Sequence, residues 1–177
     1  YDSGGSDSSW TIQHVGIGLG SGRVFLNTTD ANGTGGSTAY WNDTAPDSSV
    51  VTLGSNPDVN NGSMLAYCWA NSPTQSFGSY SGAAPVTVEC GFEPAFVMVK
   101  PIADGDWRIL DNARSTANPR DRQLYPNTSA DELQNNLYGV DFTSSGFTLL
   151  DDFMAGETYI YAAFASAGGP SGVVGDI

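Results

Sequence analysis

Nine short apolar runs organise this chain, and none exceeds nine residues. They read WTIQHVGIG, RVFLN, VVTLG, SMLAYCWA, APVTVECGF, AFVMVK, WRIL, GFTLL and ETYIYAAFA, with clusters of Gly, Asn, Asp, Ser or Pro between nearly all of them. Runs this short, rich in Val, Ile, Thr and aromatic residues, are strands, and the punctuation between them is turn chemistry. PVTVE alternates between apolar and polar residues, which calls for one buried and one solvated face. AFVMVK is apolar throughout its first five positions, as a strand covered on both faces is. One stretch reads differently. In TSADELQNNL, Ser129 precedes Glu132 by three, as in a capping box, and Leu133 and Leu137 are spaced by four; a short helix is expected near 129–137. The expected fold is all-β, an antiparallel β-sandwich with at most that one helix, since two stacked sheets are the usual way to bury many short strands.

The chain of 177 residues fits a single domain, 1–177, large enough to fold without metals or a dense disulfide framework. Its 22 Gly and 9 Pro suit many turns. Six basic residues face 19 acidic ones, a formal net charge of −13, with one lysine (Lys100) and one histidine (His14). Nucleic-acid binding needs a basic footprint, so that class is excluded as an expectation, and the same field repels anionic membranes. No apolar run has the length of a membrane-spanning helix, and YDSGGSDSS lacks the apolar region of a signal peptide.

The runs also recur in order. Trp10 and Trp107 are 97 residues apart, Asn27 and Asn127 are 100 apart, Thr52 and Thr148 are 96 apart, and Ala70 and Ala165 are 95 apart. Four landmarks in one order at nearly constant spacing read as an internal duplication of about 95 residues. Pseudo-repeat 1 covers 10–70 and pseudo-repeat 2 covers 76–165, with tails at 1–9 and 166–177 that are free or donate a strand. Each half is expected to give comparable strands to one shared core, closed by SMLAYCWA (63–70) and ETYIYAAFA (157–165). The second half opens with VTVECGFEPAFVMVK (86–100) ahead of Trp107, whereas the first has only YDSGGSDSS ahead of Trp10. The missing opening strands leave an edge that another chain can pair with, and contacts of that kind propagate into fibres.

Little in the sequence points to catalysis. Of four Glu (Glu89, Glu93, Glu132 and Glu157), none is set out with an Asp and a second Glu as paired carboxylates of a glycosidase would be, and Asp104 and Asp106 read as a turn. His14 stands without a nucleophile motif. Oxygen ligands for calcium are offered by Asn56, Asp58 and Asn60 and by Asp151 and Asp152, against the plainer reading of two hairpin turns; no cofactor is expected otherwise. Cys68 and Cys90 are either a disulfide closing a loop of about twenty residues or two separate thiols. Asn27, Asn32, Asn42, Asn61 and Asn127 sit in glycosylation sequons, which matter only in a glycosylating cell. Among the aromatics, Trp10, Trp69 and Trp107 take regular strand positions and are expected in the core. Tyr40 and Trp41 precede a polar loop and are the candidates for stacking on a glycan.

The stretch from LNTTDANGTGGSTAYWNDTAPDSSVVTLG through CGFEPAFVMVK and DWRILDNAR to YIYAAFA resembles a poorly characterised concanavalin-A-like (laminin-G-like) domain of phage tail-fibre-like proteins. The resemblance covers residues 10–165 and implies a jelly-roll sandwich in a virion or extracellular appendage. The expected function is a non-enzymatic structural or adhesive subunit that assembles with copies of itself by strand addition. The alternative is a lectin-like module for cell-surface glycans, and a degenerate glycoside hydrolase comes third.

Overall fold

The computed structural model describes residues 9–134, 139–150 and 156–166. Eleven antiparallel strands are present among them. They are β1 (Thr11–Ile12), β2 (Val24–Phe25), β3 (Gln75–Ser81), β4 (Val86–Glu89), β5 (Pro94–Pro101), β6 (Arg108–Asp111), β7 (Arg122–Gln123), β8 (Leu133–Gln134), β9 (Val140–Thr143), β10 (Gly146–Leu149) and β11 (Thr158–Ala165). The protein is all-β with one short α-helix, α1 (Ser37–Trp41), and a 3₁₀ turn at Val15–Ile17.

The main sheet has the order β3-β11-β5-β6, and a smaller sheet has the order β4-β10-β9. Alternation assigns their faces. Tyr159, Tyr161 and Ala163 on β11, with Val97 and Val99 on β5, point to one side, where they meet Val88, Phe142, Phe147 and Leu149 of the smaller sheet in one buried cluster. Ile160 and Met98 point to the other side and pack with Val24, Trp107, Ile12 and Ile17. Strands β5 and β11 are therefore apolar at almost every position because both faces are covered. Gly16 marks how close the outer layer comes: a Cβ there would lie 2.9 Å from Ile160 Cγ2 and from Ser79 Cβ.

Gly146 carries a similar constraint inside the smaller sheet, where an added Cβ would overlap the carbonyl oxygen of Val88 across the ladder. Gly146→Ala is expected to destabilise the protein by about 1–3 kcal/mol as the β4–β10 pairing is forced apart. Urea denaturation of both proteins checks this.

Three expectations need correction. The helix near 129–137 is absent where the chain is described: Leu133–Gln134 is strand β8, paired with β7. Residues 135–138 lie outside the described residues. Glu132, instead of reaching back to cap a helix, accepts from Arg114 (3.1 Å) and Arg122 (2.7 Å). Second, VVTLG and SMLAYCWA form no strand, while QSFGSYS and VDFT, which no apolar run marks, form β3 and β9. Third, the two halves do not share the core equally. The cluster between the sheets is built from residues 80–163, and residues 9–60 form a layer on the back of the main sheet.

One device recurs in that layer and in the second half of the chain. Asn27 Oδ1 accepts the backbone N–H of Trp10 at 2.9 Å, and Asn127 Oδ1 accepts that of Trp107 at 3.0 Å. Ile12 pairs with Val24, and Ile109 pairs with Leu124.

His14 ties the layer to the main sheet. Its Nδ1 accepts from Gly16 N–H at 3.0 Å, so Nε2 carries the proton and donates to Tyr161 O at 3.0 Å. Burial lowers its pKa below the ordinary 6.5, opposed in part by the Tyr161 carbonyl. The neutral form is the one that fits, so stability is complete above pH 6.5 and falls as acid protonates the unfolded chain first. Between pH 7 and pH 5 the wild type is expected to lose denaturant resistance that a His14→Asn variant does not lose. Parallel urea curves at the two pH values measure this.

Candidate assembly surface

Residues 62–70 are strand-like in composition but pair with no strand among the described residues. The chain is anchored before them by a compact turn. Gly54 N–H donates to Tyr40 O (2.7 Å), Asn56 N–H to Ala39 O (2.8 Å), and Asn60 Nδ2 to Gly54 O (2.9 Å). It is anchored again at Asn71, whose Oδ1 accepts from Phe77 N–H at 2.7 Å, and at the Ser72–Gln75 bridge that leads into β3. From residue 62 to residue 70 no backbone hydrogen bond forms to another described residue.

The side chains there are apolar and open to solvent. Leu65 is 70% exposed, Tyr67 64% and Trp69 59%. The three alternate along the chain, so in an extended conformation they share one face. The Tyr67 and Trp69 rings already stack at 5.9 Å between centroids and 19° between planes. Ordinary proteins leave single apolar residues on the surface; three on one face of an unpaired segment make it a candidate interaction site.

Charge sets this stretch apart as well. No Asp, Glu, Lys or Arg occurs from Val59 to Val88, thirty consecutive residues in a chain of net charge −13. The run contains the unpaired segment, all of β3 and most of β4. A surface through which two such acidic copies meet has to avoid like charges, and this stretch does. That signal is present in the sequence, but apolar runs alone do not expose it.

The residues singled out from the sequence lie elsewhere. Tyr40 and Trp41 are 8% and 4% exposed, which corrects their reading as glycan platforms. The short helix α1 turns both inward, where the Tyr40 hydroxyl donates to Asp58 Oδ2 (3.0 Å) and Trp41 Nε1 donates to Gly22 O (3.0 Å). Trp107 is buried, as expected for a core residue, but Trp10 and Trp69 are exposed. Cys68 and Cys90 are free thiols in the structure, the first exposed and the second half-buried, with its pKa pushed up to about 11 mainly by burial. Asn56 Oδ1 accepts from Asp58 N–H at 2.8 Å within their turn, and the Asp58 carboxylate is engaged by Tyr40. No group of three His, Cys, Asp or Glu suited to a metal occurs among the described residues, and Asp151 and Asp152 lie outside them. Of the sequon asparagines, Asn27, Asn32 and Asn127 use their side-chain oxygen to hold the backbone of Trp10, Arg23 and Trp107, while Asn42 and Asn61 are exposed. Asp104 and Asp106 hold turns, accepting from Ala31 N–H and from Asn127 Nδ2 at 2.8 Å each.

An open cleft of about 510 Å³ lies along residues 114–122. Its two guanidiniums, Arg114 and Arg122, are both held by Glu132.

The model of one family, a domain of unknown function called DUF7483, matches residues 2–168. The chain belongs to the DUF7483 family. The match takes in the outer layer, both larger sheets and the unpaired segment, so the DUF7483 domain is the whole arrangement described above. No curated protein and no solved structure matches it.

Proposed function

We propose that this protein is a non-enzymatic structural subunit of an extracellular or virion appendage, and that it assembles with copies of itself by strand addition. The observation that carries this reading is the segment 62–70, apolar, exposed and without a backbone partner. A strand-like segment in that condition is a template for another chain.

The internal duplication gives the segment a counterpart that is paired. We read the fold as a concanavalin-A-like sandwich from two pseudo-repeats. Supporting this are the paired Trp–Asn hydrogen bonds and the paired Ile12–Val24 and Ile109–Leu124 bridges, whose members are offset by 97 and 100 residues. In that register SMLAYCWA corresponds to β11. Strand β11 is hydrogen-bonded on both sides, by β3 and by β5, whereas 62–70 is bonded on neither. Among the described residues no strand lies beside 62–70, so the segment is open to a neighbouring subunit.

The test is association of the purified chain, followed by sedimentation velocity and electron microscopy. Copies of net charge −13 repel, so raising salt from about 20 mM to about 200 mM is expected to promote association into fibres or a defined oligomer. A monomer at every salt and protein concentration contradicts the reading. One observation favours a second function, recognition of surface glycans. The stacked and exposed Tyr67 and Trp69 rings offer an apolar face of the kind a pyranose covers. Its test is glycan binding by a strictly monomeric sample, expected to disappear with Trp69→Ala; binding that survives this change removes the rings from the site.

A further inference from the structure

A donated strand needs an acceptor edge in the neighbouring copy. Resting on the proposed strand addition, we propose that residues 64–70 of one copy add, antiparallel, to the outer edge of β4 in a second copy, extending the β4-β10-β9 sheet.

The edge is built to accept a strand. Strand β4 is the end of its sheet among the described residues, hydrogen-bonded only to β10. Cys90 N–H donates to Ser145 O at 2.7 Å, which fixes the phase of the ladder. Hydrogen-bonded positions alternate in an antiparallel pair, so Val88 and Val86 face β10. The N–H and C=O groups of Thr87 and Glu89 then point outward, away from the sheet. Those outward groups have no backbone partner among the described residues.

The core is also thin on that side. Val86 and Cys90 pack against the cluster between the sheets but remain only partly covered. An added strand with Leu65, Tyr67 and Trp69 on its inner face lays three large apolar side chains beside them. Ala66 and Cys68 then fall on the outer face, level with Thr87 and Glu89. Charge agrees with this choice. Donor and edge both lie in the uncharged stretch from Val59, and Glu89 stands just past its end. The outward groups of β3 are less open, since Phe77 N–H is taken by Asn71 and Gln75 N–H by Ser72. Donor and acceptor belong to different positions on the same chain, so the contact is head-to-tail: it builds a ring where the rotation between copies closes and a fibre where it does not.

Two variants test the edge. Glu89→Pro removes one outward N–H and no bond to β10, and it is expected to cut the assembled fraction at least tenfold while the urea midpoint of the monomer stays near that of the wild type. Glu89→Cys in a Cys90→Ala background is expected to form a disulfide with Cys68 of a second chain under mild oxidation. It should be seen as a covalent dimer and higher ladder on a denaturing gel, and should be lost with Cys68→Ala. The cross-link decides the matter if the proline variant does not fold. Assembled protein that shows no such cross-link overturns β4 as the acceptor and leaves strand donation standing. Wild-type protein that never leaves the monomer overturns both.

Discussion

Replacing Lys100 by Met is expected to destabilise the protein by about 2–4 kcal/mol, a large effect for one side chain. Lys100 is the chain's one lysine and has no exposed surface. Its ammonium donates to Thr29 O (3.2 Å), Pro101 O (3.1 Å) and Ala103 O (3.2 Å). Burial lowers its pKa, and Asp104, Asp30 and Asp106 pull it back up. The side chain joins the loop after β2 to the loop after β5, where Gly105 N–H also reaches Thr29 O (2.8 Å) and Asn32 N–H reaches Ile102 O (2.7 Å). Methionine keeps the stem and the volume, but it takes the ammonium donor from the carbonyls of Pro101 and Ala103 and the counter-charge from three nearby carboxylates. The outer layer should loosen first. Urea denaturation gives the energy. Amine acylation gives a second readout, because Lys100 in the folded wild type is expected to react only as fast as the protein opens.

The second large effect concerns association. A Tyr67→Ser, Trp69→Ser double variant is expected to lose self-assembly while its monomer unfolds at nearly the wild-type urea concentration. Both rings are more than half exposed and stack chiefly on each other, so the fold draws little from them; surface changes of this kind stay within about 0.5 kcal/mol. In an interface they become buried aromatic anchors. Truncating such an anchor typically costs about 2 kcal/mol or more, roughly 30-fold in affinity for each. Sedimentation velocity at matched concentrations separates the two quantities. Equal assembly in variant and wild type would remove the segment from the interface. A large fall in monomer stability would mean that it already packs within the chain.

The second half of the chain is readable because its strands carry the pattern that their surroundings impose. AFVMVK and YIYAAFA are apolar on both faces, and β5 and β11 are covered on both. SMLAYCWA has much the same composition and invites the same reading. Composition reports a preference for extended backbone, and it does not report whether a partner strand exists. The capping-box pattern at Ser129 and Glu132 misleads for a comparable reason. Arg114 and Arg122, eighteen and ten residues from Glu132 in sequence, take its carboxylate, and the short-range pattern has no knowledge of them. Tyr40 and Trp41 precede a polar loop, yet a five-residue helix with Asn42 in the left-handed region turns both rings inward. Lys100 ends an apolar strand, where a lysine is ordinarily solvated; its burial depends on three carbonyls from two loops, which no local pattern encodes.

Amide hydrogen exchange at residues 62–70, compared between dilute monomer and assembled protein, tests the central claim most directly. In the monomer these amides have no backbone acceptor and are expected to exchange near the rate of an unstructured chain, in contrast to those of β5 and β11. On assembly they are expected to slow at alternate positions along the segment, as one edge of a donated strand becomes hydrogen-bonded. Amides that stay fast in the assembled protein, or that are already slow in the monomer, would contradict the account.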